Sequence, residues 1–258
     1  MQYKNILIIM QRSNGDVLLS NSLIYEIKKN LNPKSIDLLV NDDTLLIAKS
    51  LPHVNDIHTF SYDRKKTSRW SQEKLIFSSI FRKYDLSINL TASDRSVIYG
   101  LIASRNSISA IEENKAKSWW KKIFLKSSYY FSNDRHILIN NLEPLSFLNI
   151  EPELTFKPPK INQKAKKIIS KKLDELKIKN FIIFHPSAQY NYKIYPKKMR
   201  DELLKLINTL SIKVIITGSN NEIDTQIKKE IPQFDNIFNW IGNTTIDEYI
   251  ALSDLSDG

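Results

Sequence analysis

The chain contains no cysteine, which excludes disulfides, thiolate nucleophiles and cysteine-ligated zinc. Nothing therefore argues for an oxidising compartment. Glycine is scarce as well. The five glycines, Gly15, Gly100, Gly218, Gly242 and Gly258, are too dispersed to write either a GxGxxG dinucleotide loop or a GxxxxGK[ST] phosphate loop. No uninterrupted apolar run approaches the ~18–20 residues that a membrane-spanning helix needs. The opening Met1–Met10 has a short apolar stretch, but polar Gln11-Arg12-Ser13-Asn14 follows at once without a small-residue cleavage site, so it is not a secretory signal. The expected location is cytoplasmic, with any membrane contact made from that side.

Arginine is the third scarcity. Of the 38 Lys plus Arg residues only eight are Arg, and against 28 Asp plus Glu they leave a net charge of +10. Such a balance points to anionic partners: nucleic acid, phosphorylated sugars, nucleotides or an acidic membrane surface. A Lys-heavy, Asn-rich composition also arises from codon bias, and bidentate readout of bases and phosphates favours arginine. No recognition motif accompanies the charge, so nucleic acid is not an expected partner.

What is present, over 258 residues with 41% hydrophobic and 26% charged positions, is the composition of a structured protein with room for two cores. The first half alternates short β-branched runs with longer helical patterns, the signature of a helix-covered parallel sheet and of the α/β class. Strands are expected at Lys4–Met10, Ile36–Val40, Ile57–Phe60, Asp85–Leu90 and Ile108–Ile111. Helices are expected at Asp16–Leu31, Asp43–Ser50, Trp70–Tyr84 and Ser93–Ala103, followed by an amphipathic piece over Ser118–Phe131. Three prolines in Glu151–Lys160 (EPELTFKPPK) predict a stiff connecting segment between domains over 1–150 and 161–258. The alternation then restarts, with helices at Asn162–Leu176, Pro196–Leu210, Asn221–Ile231 and Thr245–Leu252, and strands at Asn180–His185, Lys213–Thr217 and Ile237–Ile241. An open parallel sheet with a nucleotide site has about five or six strands. Three therefore read as part of a larger sheet, and the second domain is expected to be incomplete.

Ligands bind doubly wound sheets at the carboxyl ends of the strands. The loop after the first strand, Gln11 to Asp16, offers Gly15 for a tight turn and Asp16 at the helix start. Asp16 is either a helix cap or a general base at the ligand edge with Arg12 beside it for an anionic group. After the first strand of the second half, His185-Pro186-Ser187-Ala188-Gln189-Tyr190-Asn191-Tyr192-Lys193 supplies a hydroxyl and a lysine before a helix opening at Pro196, a position suited to proline at N1. Ser187 and Lys193 are suited to hold phosphate oxygens, or are solvated loop residues. Thr217-Gly218-Ser219-Asn220-Asn221-Glu222 places Glu222 where it either accepts from ribose hydroxyls or forms a capping box with Ser219.

In order along the chain, ILIIMQRSNGDVLLSNSLIYEIKKN, IDLLVNDDTLLIAKSLPHVNDIHTF, YDLSINLTASDR, FHPSAQYNYKIYP, VIITGSNNE and WIGNTTIDEYIALSDL resemble the landmarks of the ADP-heptose:lipopolysaccharide heptosyltransferases, glycosyltransferase family 9. The stretches YDLSINLT and KSWWKKIF are most similar to the heptosyltransferase III branch. The resemblance implies a GT-B architecture, two Rossmann-like domains facing a cleft, with the lipopolysaccharide core acceptor on the first and the ADP-heptose donor on the second. It also implies inverting transfer without a metal or other cofactor. By that resemblance Asp16 is the base for the acceptor hydroxyl and Lys193, in K-x-[WY]-P, neutralises the departing diphosphate, while Ser187 and Glu222 contact the donor.

Two departures accompany it. Ser187-Ala188 stands where many members have Gly or paired Thr, and the family's D-[ST]-G-x-x-H segment, expected after the ALSDL-like helix, is not found before Gly258. Weak donor binding or none is expected of such a chain, and the alternative to a transferase is an inactive remnant that keeps its acceptor side. The basic stretches Arg64-Lys65-Lys66 with Arg69, and Lys115, Lys117, Lys121, Lys122 and Lys126 interleaved with Trp119, Trp120, Tyr129 and Tyr130, allow two readings. They are a solvated face with aromatic residues packed inward, or, with Arg12, Lys121 and Lys122 as acceptor contacts, a surface for phosphorylated core sugar and the inner membrane. The Lys-rich helix Lys164–Lys177 reads as solvated surface.

Overall fold

Continuous Ile/Leu/Val runs such as Ile6–Met10 are stable as strands only where both sheet faces are covered, and the computed structural model shows that arrangement twice. It describes residues 3–62, 68–188, 191–210 and 212–258, so the expected basic stretch Arg64-Lys65-Lys66 lies outside the described residues. The chain divides into two units, Met1–Lys160 and Ile161–Gly258.

In the first unit the elements run β1 (Asn5–Met10), α1 (Asn14–Leu19), α2 (Asn21–Leu31), β2 (Ser35–Asn41), α3 (Leu45–Ser50), β3 (Asp56–Phe60), α4 (Arg69–Ile80), β4 (Leu86–Asn89), α5 (Asp94–Ala103), β5 (Ser107–Ile111), α6 (Lys115–Phe124), β6 (Ser127–Tyr130) and α7 (Ile137–Leu142). The six strands form one parallel sheet in the order β3-β2-β1-β4-β5-β6. Ile8 at its centre sits between Leu38 and Ile88. Leu7, Ile9 and Leu39 meet Ile76 and Ile80 of α4 and Tyr99 and Ala103 of α5 on one face. Ile6, Ile8 and Met10 point to the other.

Several boundaries differ from expectation for local reasons. The single helix expected over Asp16–Leu31 is two, α1 and α2, meeting at Ser20, whose hydroxyl donates back to the Val17 carbonyl at 2.6 Å. The helix expected to reach Tyr84 stops at Ile80, because Arg82 turns left-handed (φ 53°) and its N–H donates to the Ile102 carbonyl. The amphipathic piece expected over Ser118–Phe131 divides into α6 and a sixth strand, β6, paired with β5. The proline-bearing residues 151–160 run extended and are tied to α2: Asn21 donates to the carbonyls of Lys157 and Pro158, Ser22 to Thr155, and Lys29 pairs with Glu153.

The second unit comprises α8 (Gln163–Glu175), β7 (Ile182–Phe184), α9 (Lys197–Thr209), β8 (Val214–Ile216), α10 (Glu222–Glu230), β9 (Ile237–Asn239) and α11 (Ile246–Leu255), with a parallel sheet in the order β7-β8-β9. Alternation along β8 explains its helix layers. Ile215 packs with Ala165 and Ile169 of α8 and Ala251 and Leu252 of α11, whereas Val214 and Ile216 pack with Leu204 of α9 and Ile227 of α10. Residues 257 and 258 lie along the other edge of β7, where Phe181 accepts from the Asp257 N–H and Ile183 donates to the Gly258 carbonyl. Pro196 is the residue before α9 rather than its first, with extended backbone (ψ 135°). Among the described residues no helix is long and apolar enough to cross a membrane.

A polar chain crosses the first unit beside β2 and β3. Ser79 contacts His58 Nδ1 at 3.3 Å, His58 Nε2 lies 2.9 Å from the Tyr84 hydroxyl, and that hydroxyl donates to Asp37 at 2.8 Å. Burial lowers the His58 pKa, outweighing the opposing pull of Asp56 and Asp37. The unfolded chain therefore binds more protons than the folded one below the ordinary histidine value of about 6.5. Folding stability is expected to fall with pH below that point until folded His58 itself protonates. In urea unfolding against pH, His58→Gln should lose this slope relative to wild type; an unchanged slope would assign it to other groups.

Candidate functional site

The carboxyl edge of each sheet carries a group of polar side chains, described unit by unit. In the first unit β1 ends at Met10 and the chain leaves the sheet through Gln11, whose N–H donates to Thr91 Oγ1 in the loop after β4. Ser13 is extended, and α1 begins at Asn14. Gly15 therefore lies inside the first helical turn and makes no turn of its own; the direction change belongs to Ser13. The space where a Gly15 side chain would stand is open to at least 4 Å.

Asp16 is held tightly at this helix start. Its Oδ2 accepts from Arg12 Nε at 3.1 Å, from the Ser13 hydroxyl at 3.0 Å and from the Ser13 N–H at 3.3 Å. All three bonds fall on one oxygen, so Oδ1 has no partner among the described residues. The side chain is 18% exposed. Arg12 is fixed in turn by the Phe131 ring, 4.5 Å from the guanidinium carbon to the ring centroid. The capping and functional descriptions of Asp16 thus coexist: one oxygen closes the helix and the other is spare.

The two lysines taken as acceptor contacts separate. Lys121 is completely buried on the inner side of α6, where its ammonium meets Asp94 Oδ1 at 2.7 Å, Glu112 Oε2 and the Ala92 carbonyl. This corrects its placement on a basic surface: its charge ties α6 to the loops after β4 and β5. Lys122 is exposed, and its Nζ donates to the Tyr130 hydroxyl at 2.7 Å.

In the second unit the loop after β7 carries His185 and Ser187; Gln189 and Tyr190 of the same loop lie outside the described residues. Asn191–Lys193 is one 3₁₀ turn, with Lys193 Nζ 5.6 Å from the centre of the Tyr192 ring. His185 bridges two hydroxyls, Thr217 Oγ1 at 3.1 Å from Nδ1 and Ser187 Oγ at 3.3 Å from Nε2. The loop after β8 folds around a carboxylate that sequence reasoning missed. Asp224 accepts from the Ser219 N–H at 2.8 Å and from its hydroxyl at 2.6 Å. Burial pushes the Asp224 carboxyl up, but hydrogen bonds from Ser187 and Ser219 and the charge of His185 outweigh it and hold the group below the usual range.

Gly218 is required for this arrangement, since a Cβ there would stand 2.7 Å from Asp224 Oδ1. The cap of α10 is Asn221, whose Oδ1 accepts from the Asp224 N–H at 2.7 Å, and not the expected Ser219–Glu222 pair. Glu222 is exposed on the first turn of α10. The signal that would have found Asp224 is the Asn221-x-x-Asp224 spacing, which has the capping pattern one turn inward. Ser187, His185, Thr217, Ser219 and Asp224 thus form one polar cluster at the carboxyl edge of β7 and β8, with Lys193 and Glu222 on the flanking loop and helix.

Solved structures place the fold in a class. The glycosyl transferase family 9 structure from Veillonella parvula DSM 2008 superposes with a TM-score of 0.80 at 14% identity over 100% of this chain and 75% of that one. The E. coli heptosyltransferase WaaC with ADP gives 0.73 at 14% identity over 98% and 78%. The two units are accordingly those of the GT-B glycosyltransferases. In sequence the chain is 23% identical over 229 residues to lipopolysaccharide heptosyltransferase 3 of Escherichia coli, covering 86% of the chain and 66% of that protein. It is 24% identical over 234 residues to lipopolysaccharide heptosyltransferase 1 of Campylobacter coli, at 88% and 67%. The chain thus spans about two thirds of the length of these relatives. A family model for glycosyltransferase family 9 (heptosyltransferase) matches residues 76–257, and the chain belongs to that family.

The two neighbouring lysines of α6 offer a direct check. Lys121→Ala strands the Glu112 and Asp94 carboxylates; because both reach solvent, the expected loss of stability is about 1–3 kcal/mol in denaturant unfolding rather than the larger cost of a sealed pair. Lys122→Ala should stay within about 0.5 kcal/mol of wild type. Equal effects of the two would contradict the burial of Lys121.

Proposed function

We propose that the chain carries out, or forms the greater part of an enzyme that carries out, inverting transfer of heptose from ADP-heptose to the lipopolysaccharide core, without a metal or other cofactor, on the cytoplasmic side of the inner membrane. The observation that carries the reading is Asp16: a carboxylate at the carboxyl edge of a parallel sheet, immobilised through Oδ2 and open at Oδ1, in a chain of the heptosyltransferase family.

In this mechanism Oδ1 takes the proton of the acceptor hydroxyl as its oxygen attacks the anomeric carbon. The bond from that carbon to the diphosphate breaks on the opposite side, which inverts the configuration. Charge builds on the leaving phosphate, so a cation held nearby lowers the barrier more than it stabilises the ground state; Lys193 is assigned that part. Ser187 supplies a hydroxyl to the phosphates. Its neighbours His185 and Asp224 set the direction of that hydroxyl, and Glu222 accepts from the ribose. Arg12 and Lys122 are assigned to the anionic acceptor, with Arg12 also orienting Asp16; Lys121, with its charge already paired, acts by positioning α6. A lipid-linked acceptor brings the protein into peripheral contact with the membrane surface.

The test pairs a transfer assay with calorimetric titration of ADP, on this chain and on one extended through any sequence that follows Gly258 in its gene. Asp16→Asn should lower the transfer rate by about 10²–10⁴-fold with ADP affinity unchanged. Wild-type transfer by Asp16→Asn would remove the base assignment, and failure of the extended chain to bind ADP would remove the donor assignment.

A further inference from the structure

We infer that α6 is a membrane-docking helix that lays its outer face on a bilayer surface bearing anionic lipid headgroups; this deepens the membrane contact proposed above and names the element that makes it. Three large apolar side chains of α6 stand in solvent: Trp119 is 62% exposed, Ile123 67% and Phe124 66%. The helix is fully supported from beneath, so these residues are not a core left unfilled. Ser118 and Lys121 are buried, Leu125 packs with Val97 and Ile111, and half-buried Trp120 packs against the same cluster. The Lys121 ion pairs with Asp94 and Glu112 fix the rotation of α6 about its axis.

The charge carried by α6 itself has one sign. Residues 114–126 contain no acidic side chain. Lys115, Lys117, Lys122 and Lys126 are all exposed, and among the described residues none is ion-paired. Lys115, Trp119, Lys122 and Ile123 follow helical spacing along one stripe of α6, and Lys126 follows just past its end. Aromatic and aliphatic side chains alternating with lysine on one helical face match the boundary between headgroups and acyl chains, with the ammonium groups at the phosphates. A second copy of the same face is a poor occupant, because it would bring four lysines against four lysines.

The test is flotation of the full chain with vesicles of phosphatidylcholine alone and of phosphatidylcholine with phosphatidylglycerol, free of lipopolysaccharide. Wild type should float with the anionic vesicles and not with the neutral ones, and added salt should weaken the binding. Each of Lys115→Gln and Lys117→Gln, neither of which is assigned to the transfer site, should reduce the partition coefficient about fivefold. The triple variant Trp119→Ser, Ile123→Ser, Phe124→Ser should reduce it by at least about tenfold, with an unchanged thermal melt since all three side chains are exposed. ADP titration of the same variants should match wild type, which separates failure of docking from failure of the transferase reading. Absence of flotation by wild type, or flotation of the triple variant equal to wild type, would overturn the inference. So would self-association in sedimentation velocity that the triple variant abolishes, which would assign the face to a second copy instead.

Discussion

Parallel strands must be buried on both faces, and in this protein that constraint organises everything else. An antiparallel sheet can leave one side to water, whereas a parallel one needs a helix between each pair of strands to bring the chain back to the same end. Every strand therefore points the same way, and every loop that follows a strand emerges at the same edge. Arg12 and Asp16 after β1, Thr91 after β4 and Glu112 after β5 come from three separate segments of the first unit and share one edge for this reason. His185, Thr217 and Asp224 share the corresponding edge of the second unit.

The same constraint separates side chains that look alike. A helix covering a sheet has an inner and an outer side, and a shift of one residue around it is enough to change sides. Lys121 and Lys122 illustrate the result, the first sealed against two carboxylates and the second in solvent. Glu222 and Asp224 repeat the pattern at the start of α10, where the inner acid organises a loop and the outer one is left available. In both places the buried residue supports the geometry while the exposed one faces solvent.

A six-stranded sheet also lets distant segments act as braces. Phe131, after the last strand, stacks on Arg12 and so limits how far the Arg12–Asp16 pair can move. Residues 151–160, extended along α2, close the first unit by backbone carbonyls that accept from Asn21 and Ser22. The Asp16 carboxylate is thereby set on rigid elements, which is the condition that the proposed base role places on it.

The α/β class, most strands and the candidate loops were legible in the amino-acid order, because Ile/Leu/Val runs and helical spacing are local signals that burial on both faces imposes. Asp16, Arg12, Ser187, Lys193 and Glu222 could be named because each follows a strand or opens a helix. β6 escaped because Ser127-Ser128-Tyr129-Tyr130 has no apolar run, and it is a strand by virtue of its pairing with β5. The break at Ser20 and the early end of α4 escaped because each depends on a hydrogen bond or backbone turn that spacing does not reveal. Which acid folds inward, which lysine is buried and which oxygen of Asp16 stays open were decided by tertiary structure alone. Those outcomes depend on partners far away in the chain, and a one-dimensional pattern carries no information about which of two adjacent side chains will meet them.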